Sequence, residues 1–329
     1  VIPKIERKKP GRVEVLVLVL FVYGLVVPLN WLAGIFGYRH RLLGSIIHSR
    51  KQAELAFKNY VPDERDIFVC TFAKSGTNWM LQMAHQIIFH GEGEFANIHD
   101  VVCWPDKGPK LTPRFSITLD NQVVQQLSPE HKRVIKTHLP LGLVPYNDKA
   151  RYITVVRDPK EVFVSSYHFI NSAFAPLMPT PAEWFDLFLS ERFPMNFGCT
   201  WAEHIARYWA MRDKPNVLIL TYSEMKRDLQ GTIRRVADFL GATLSPDALA
   251  KVQKQCTFAY MKSIDDRFVP VSKDFMPWGS MQMMREGRSG NSGEFISREQ
   301  QQRIDLHFKA ELQRLGSDFP YAQFQSRGR

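Results

Sequence analysis

The chain has 329 residues, 45% of them hydrophobic and 23% charged, with a net charge of +10. That suffices for one large α/β domain or two small ones with a substantial core, and it is too apolar for a disordered chain. The positive balance fits a polyanionic nucleotide or an anionic lipid surface as well as an ordinary solvated basic face; with no nucleic-acid module in view, nucleic acid is not an expected partner. Four scattered cysteines (Cys70, Cys103, Cys199, Cys256), with no CxxC and no histidine cluster, argue against a disulfide framework or a zinc site and lean towards a reducing compartment.

The N-terminus carries Lys4, Arg7, Lys8, Lys9 and Arg12, then an uncharged stretch from Val15 to Tyr38, before Arg39-His40-Arg41. Residues 1–38 read as a basic and hydrophobic membrane-anchor segment, long enough to span a bilayer, with Trp31 and Tyr38 suited to its interface. Pro28 and Asn30 leave a kinked or shallowly inserted helix as an alternative, and an apolar helix packed on the domain as another. A cleaved signal peptide fits less well, because no small-x-small site follows the apolar core. Residues 39–61 have the spacing of an amphipathic connector helix, and the main domain is expected over 62–325.

Within that domain, Ile67-Phe68-Val69-Cys70 predicts a buried strand, and a helical pattern runs from Trp79 to about Phe89. Between them lies Thr71-Phe72-Ala73-Lys74-Ser75-Gly76-Thr77-Asn78-Trp79. A tight loop entering a helix offers unpaired N–H groups and a positive dipole end, and Lys74 adds a full charge, so the loop is P-loop-like. It is not a Walker loop, because Lys74 precedes the loop's glycine, Gly76. Residues 91–130 read as loop-rich. Two further short strands end in ionisable residues: Arg133-Val134-Ile135-Lys136-Thr137-His138 and Tyr152-Ile153-Thr154-Val155-Val156-Arg157, the second followed by Asp158-Pro159 as a helix start. An irregular stretch is expected at 171–200, then a strand at 217–220, helices at about 229–240, 246–254 and 298–315, and a long loop at 262–294. Strands alternating with helices predict a doubly wound parallel α/β sheet of about five strands, with these residues converging at the strands' carboxyl ends.

Lys74-Ser75-Gly76-Thr77-Asn78-Trp79, Lys136-Thr137-His138-Leu139-Pro140, the Arg157 to Phe169 segment and Arg285-Glu286-Gly287-Arg288-Ser289-Gly290 together resemble the sulfotransferase family that uses 3′-phosphoadenosine 5′-phosphosulfate, closest to its cytosolic-type branch. The resemblance spans about residues 60–315. It implies a transferase moving a sulfuryl group from that donor co-substrate to a hydroxyl or amine of a small, lipophilic acceptor, with no metal required. By the same resemblance His138 is the general base, with His168 the weaker candidate, and Lys74 and Lys136 stabilise charge on the leaving and transferring groups. Ser75, Gly76, Thr77 and Asn78 would hold the 5′-phosphate. Arg157, Ser165, Arg285, Glu286 and Gly287 fall where the 3′-phosphate is bound, Trp79 and Phe258 where adenine stacks, and Tyr222 and Thr257 beside the base.

The chain departs from the family in having Glu286 in place of a usual lysine, with Arg288 as a partial substitute, and Asn291 to Ser297 in place of an Asp-Trp-Lys run. The family's short dimerisation motif is also not recognisable, which leaves the oligomeric state open. Aromatic and methionine side chains at Phe174, Met178, Trp184, Met195, Phe197, Phe275, Met276, Trp278 and Met281 are candidates for an acceptor wall. Two other readings stand beside this one: a kinase-like phosphotransferase, and a membrane-tethered nucleotide-binding protein without turnover. The sequence contains no Asn-x-Ser/Thr acceptor, which favours a membrane-associated protein with its main domain in the cytoplasm; the Golgi lumen is the alternative.

Overall fold

A computed structural model describes residues 11–36, 50–110, 112–195, 197–270, 281–287, 290 and 292–324. Five strands, β1 (Asp66–Cys70), β2 (Val102–Cys103), β3 (Arg133–Thr137), β4 (Arg151–Val156) and β5 (Val217–Thr221), form one sheet in the order β2-β3-β1-β4-β5. Every neighbouring pair is parallel. β1 and β3 are buried along their whole length, which is why Ile67-Phe68-Val69-Cys70 of β1 reads as an apolar run with no alternation. From β1 the chain builds to one side through β2 and β3, then returns to the other through β4 and β5. That reversal opens a crevice beside the carboxyl end of β1.

Register decides what meets there. Asp66 pairs with Arg133 at the entry of β1 and β3, tied by a buried ion pair of 2.9 Å. Four residues on, Cys70 lies opposite Thr137, so the next residues, Thr71 and His138, leave the sheet side by side. Val156 likewise lies opposite Thr221, which brings Arg157 and Tyr222 out together.

The expected helices are present at Thr77–Ile88, Pro159–Phe174, Leu229–Leu240, Pro246–Gln255 and Arg298–Arg314. Asp158 caps the second of these by accepting the Lys160 N–H at 2.9 Å, and Pro159 takes its first position. Two expectations are corrected. The stretch 171–200 contains a regular helix, Pro181–Phe188, opened by a reciprocal capping box between Thr180 and Glu183. The loop-rich stretch 91–130 contributes β2, two residues long, as an edge of the sheet. Around Trp184, Phe163, Phe188, Phe193, Trp201 and Phe308 an aromatic core joins the helices on one side, each such side chain contributing about 1.5–3 kcal/mol by burial.

The N-terminal segment forms one helix, Arg12–Ile35, long and apolar enough to cross a membrane. A π turn at Val22–Val26 precedes Pro28, whose missing N–H and ring disturb the regular hydrogen-bond ladder. Val22 and Asn30 are buried, whereas Leu16, Val17, Leu20, Phe21, Leu25, Leu29, Trp31 and Leu32 are exposed. Of the expected connector, Arg50–Leu55 is helical, and residues 39–49 lie outside the described residues.

Candidate active site

The loop after β1 is shaped by two left-handed residues, Lys74 at φ 68° and Gly76 at φ 104°. A Cβ at Gly76 would lie 2.9 Å from the Tyr222 ring, so the position requires glycine both for its backbone and for the approach of that ring. The Thr71 and Thr77 hydroxyls share a hydrogen bond of 2.6 Å across the loop's base. Gly76 then opens the Thr77–Ile88 helix, whose first-turn N–H groups are the natural seat for an anion. Lys74 places its ammonium 4.0 Å from the centre of the Phe169 ring. Burial, then the nearby Arg157, lower its pKa to about 7.

Lys136 and His138 stand two residues apart at the end of β3. The Lys136 ammonium lies 3.6 Å from the centre of the Trp104 ring. Burial lowers its pKa to about 7, the Asp106 carboxylate pulls it back up, and Lys107 and Lys74 push it down. The Nδ1 of His138 is 2.9 Å from the Thr71 carbonyl oxygen. A carbonyl can only accept, so Nδ1 carries the proton and Nε2 keeps its lone pair. Burial, and then the charge of Lys136, hold the His138 pKa well below its ordinary value, so the ring is neutral at pH 7.

Asp106 is a member of this cluster that the motifs did not reveal. It is buried, and it accepts the His138 backbone N–H at 2.7 Å, the Thr137 hydroxyl at 2.7 Å and the Trp104 indole N–H at 3.1 Å. It comes from the loop-rich stretch before β3, where no local pattern marks it. The short turn Pro105–Lys107 is the only sequence cue, and it says nothing of its partner.

Arg157 leaves β4 with its guanidinium over the Tyr222 ring, 4.3 Å from the centre. It donates to the Lys74 carbonyl at 3.0 Å and pairs with Glu161 at 3.4 Å. Glu161, like Asp106, is given no role by any of the motifs. Its other carboxylate oxygen accepts the N–H groups of Gly290 and Ser292 at 2.9 and 3.3 Å, which draws the late segment onto the Pro159–Phe174 helix. Arg285 is ion-paired to its neighbour Glu286. Gly287 lies against the Phe258 ring, where a Cβ would come within 2.5 Å of the ring carbons. Trp79 is fixed by its indole N–H, which donates to the Cys256 carbonyl at 2.8 Å, and its ring meets Tyr222 edge-on at 5.5 Å. Thr257 uses its hydroxyl at a helix start, donating to the Lys254 carbonyl at 2.8 Å and accepting from Tyr260 at 3.3 Å. Arg288 and Asn291 lie outside the described residues.

All these elements surround one cavity of about 570 Å³. Lys74, Gly76, Thr77, Asn78, Trp79, Lys136, His138, Arg157, Ser165, Tyr222, Thr257, Phe258, Arg285, Glu286 and Gly287 line it; Ser75 lies behind the wall, fully buried. His168 also reaches the wall, with its pKa lowered by burial and by Arg285. Two buried polar atoms of the cradle, Ser75 Oγ and Arg157 Nε, have no hydrogen-bond partner among the described residues. Arg157 lines the cavity, and a donor left over there beside a helix N-terminus fits a bound phosphate; Ser75 Oγ, behind the wall, does not face it. Of the aromatic and methionine residues expected at the acceptor wall, Phe174, Met195 and Met281 line the cavity. Trp184 and Phe197 belong to the core, and Phe275, Met276 and Trp278 lie outside the described residues.

A phosphate-type cradle, a neutral histidine and two lysines at the switch point of a parallel sheet define a nucleotide-dependent group-transfer site. Residues 64–316 match the family model described as "Sulfotransferase domain", and the chain belongs to that family and is an enzyme of the sulfotransferase class. It is similar to sulfotransferase 2A1 of Macaca fascicularis, 30% identical over 80% of this chain and 90% of that one. Sulfotransferase 2A2 of Mus musculus is 29% identical over 90% of this chain and 97% of that one. Among solved structures the fold matches retinol dehydratase in complex with androsterone and the inactive cofactor PAP, with TM-score 0.64 and 21% identity over 83% of this chain and 88% of that one. It also matches a mouse sulfotransferase complexed with PAP, with TM-score 0.60 and 22% identity over 82% of this chain and 91% of that one.

Proposed function

We propose that the protein transfers a sulfuryl group from 3′-phosphoadenosine 5′-phosphosulfate to a hydroxyl of a small, lipophilic acceptor, with His138 as general base. The carrying observation is the hydrogen bond from His138 Nδ1 to the Thr71 carbonyl, which leaves Nε2 as a bare base on the cavity wall. The donor assignment is supported by the unpartnered Arg157 Nε on the cavity wall and by the PAP complexes of the two structural neighbours.

In this reading the acceptor oxygen attacks sulfur in line with the bridging oxygen, the S–O bond to the 5′-phosphate breaks, and His138 Nε2 takes the hydroxyl proton. Lys74 faces the charge that develops on the leaving phosphate, and Lys136 faces that on the sulfuryl oxygens. Ser75 to Asn78 hold the 5′-phosphate. Arg157, Ser165, Arg285 and the Glu286-Gly287 backbone enclose the 3′-phosphate, with the guanidinium fork of Arg157 giving a bidentate grip. Trp79 and Phe258 flank adenine, with Tyr222 and Thr257 at its rim.

The catalytic domain, taken as 62–325, is attached to a membrane by the segment 1–38 through the 39–61 connector, and faces the cytoplasm; the Golgi lumen is the alternative. Incubation with radiolabelled donor and a panel of sterols, phenols and long-chain alcohols tests the activity, and absence of label in every class would overturn it. One observation favours a second reading, a nucleotide-binding protein without turnover: Arg285 is already paired with Glu286 where a free cation would meet phosphate. His138→Ala would then change nothing measurable. The kinase-like alternative predicts preference for ATP over adenosine 3′,5′-bisphosphate in calorimetry.

A further inference from the structure

We propose that the Arg12–Ile35 helix and the cavity act as one unit, the helix seating the domain on an anionic bilayer so that an alcohol dissolved in the lipid enters the cavity beside the helix. This rests on the sulfuryl-transfer reading above and adds where the acceptor resides and by what route it arrives.

The helix does not stand away from the domain. Its second half packs on the turn Ala175–Leu177, and Val26 and Val27 pack on the apolar cluster that contains Ile170, Leu177 and Met195. Ile170 and Met195 also line the cavity, as does Phe174, the residue just before that turn. One apolar cluster therefore has the helix on one side and the acceptor wall on the other. On the same half of the helix Asn30 is 5% exposed, and its side-chain oxygen has no donor among the described residues.

The remaining faces of the helix decide what covers it. Leu16, Val17, Leu20, Leu25, Leu29 and Leu32 are each 45–63% exposed. Leaving so many half-exposed aliphatic side chains in water is unfavourable, and a hydrocarbon phase removes that cost. Basic residues bracket the segment, Lys4, Arg7, Lys8, Lys9 and Arg12 before it and Arg39 and Arg41 after it, and they complement anionic headgroups. A helix held to the domain along one stripe and apolar elsewhere places its free faces in hydrocarbon beside the domain. The cavity wall it adjoins then faces the depth at which the hydroxyl of an amphiphilic alcohol sits.

The test uses the full chain, radiolabelled 3′-phosphoadenosine 5′-phosphosulfate and mixed phosphatidylcholine–phosphatidylserine vesicles. Octadecan-1-ol held in the vesicles is one acceptor, and 2-naphthol in the water is the other. Labelling of octadecanol should follow its mole fraction in the bilayer, falling about tenfold when tenfold more lipid is added at constant total alcohol, while the 2-naphthol rate stays constant. The double variant L25D/L29D should lose vesicle binding and at least tenfold of octadecanol turnover with 2-naphthol turnover retained. Val26→Asp should stay on vesicles, because the outer faces are intact, yet lose octadecanol turnover by unseating the helix. Octadecanol labelling that tracks total concentration alone, or full octadecanol turnover by either variant, overturns the proposal. So does labelling of 2-naphthol with none of octadecanol. If neither acceptor is labelled, the sulfuryl-transfer reading itself fails and this inference falls with it.

Discussion

Asp106 and His138 are joined through the main chain: one carboxylate oxygen accepts the His138 N–H at 2.7 Å, and the other accepts the neighbouring Thr137 hydroxyl at 2.7 Å. The carboxylate thus sets the direction in which the chain leaves β3, while the Thr71 carbonyl sets the rotation of the imidazole. Two acceptors 35 residues apart in sequence orient one ring. Asp106 touches no reacting atom in this arrangement and is a positioning residue.

Replacing the proposed base should separate chemistry from binding. His138→Ala is expected to lower kcat by about 10²–10⁴-fold, the usual weight of general base catalysis. Affinity for adenosine 3′,5′-bisphosphate should stay within about twofold, as read by calorimetry. An unchanged kcat would remove His138 from the mechanism.

Asp106→Asn should do something different. An amide presents N–H where three donors converge, so about 1–3 kcal/mol of stability is lost. The carboxylate also raises the Lys136 pKa against the effect of burial, so its removal lets that pKa fall below about 7. In the proposed mechanism it is charged Lys136 that meets the sulfuryl oxygens, so the alkaline limb of the kcat profile should move to lower pH. A purely structural role would lower Tm and leave the limb in place.

The two buried lysines predict a proton linkage. Lys74 and Lys136 both have pKa values lowered to about 7 from 10.5, chiefly by burial. Between pH 7 and 10.5 the unfolded chain therefore binds more protons than the folded one, and these two groups make the protein more stable as pH rises through that window. An anionic nucleotide raises both values again. Binding of adenosine 3′,5′-bisphosphate at pH 8 should take up protons, visible as a dependence of the calorimetric enthalpy on the buffer's ionisation enthalpy. Affinity should fall as pH rises from 7 to 10. Proton release, or no linkage, would contradict the proposed place of both lysines beside the bound anion.

Gly76→Ala tests the cradle. Its backbone is left-handed at φ 104°, and the new methyl would meet the Tyr222 ring at 2.9 Å. The strain costs about 1–3 kcal/mol, and moving Tyr222 displaces the ring beneath Arg157. A loss of bisphosphate affinity of tenfold or more is expected, together with a lowered Tm. Wild-type affinity would show that the loop does not touch the nucleotide.

Most of the fold was legible because its signals are local. β1, β3, β4 and β5 are short runs that end at charged or polar residues, and the helices after Asp158 and Ser245 begin with recognisable caps. The Pro181–Phe188 helix was legible too, through Thr180-Pro181-Ala182-Glu183, but four prolines nearby read as a loop. Trp184 and Phe197 illustrate the opposite limit. An aromatic side chain in a loop-rich stretch looks the same whether it faces a core or a cavity, and only packing distinguishes them.

The sequence by itself determined the class of the protein, because the cradle, the two strand-end motifs and the late glycine motif each carry their chemistry within a few consecutive residues. The tertiary structure decided how those groups are tuned. Strand register set Thr71 beside His138 and Arg157 beside Tyr222, burial drew two lysines down towards neutrality, and Asp106 and Glu161 closed on partners far along the chain. It also laid the N-terminal helix against the cluster that walls the cavity. Chemistry of type is written in short range, whereas desolvation, register and long-range hydrogen bonds exist only once the chain has folded.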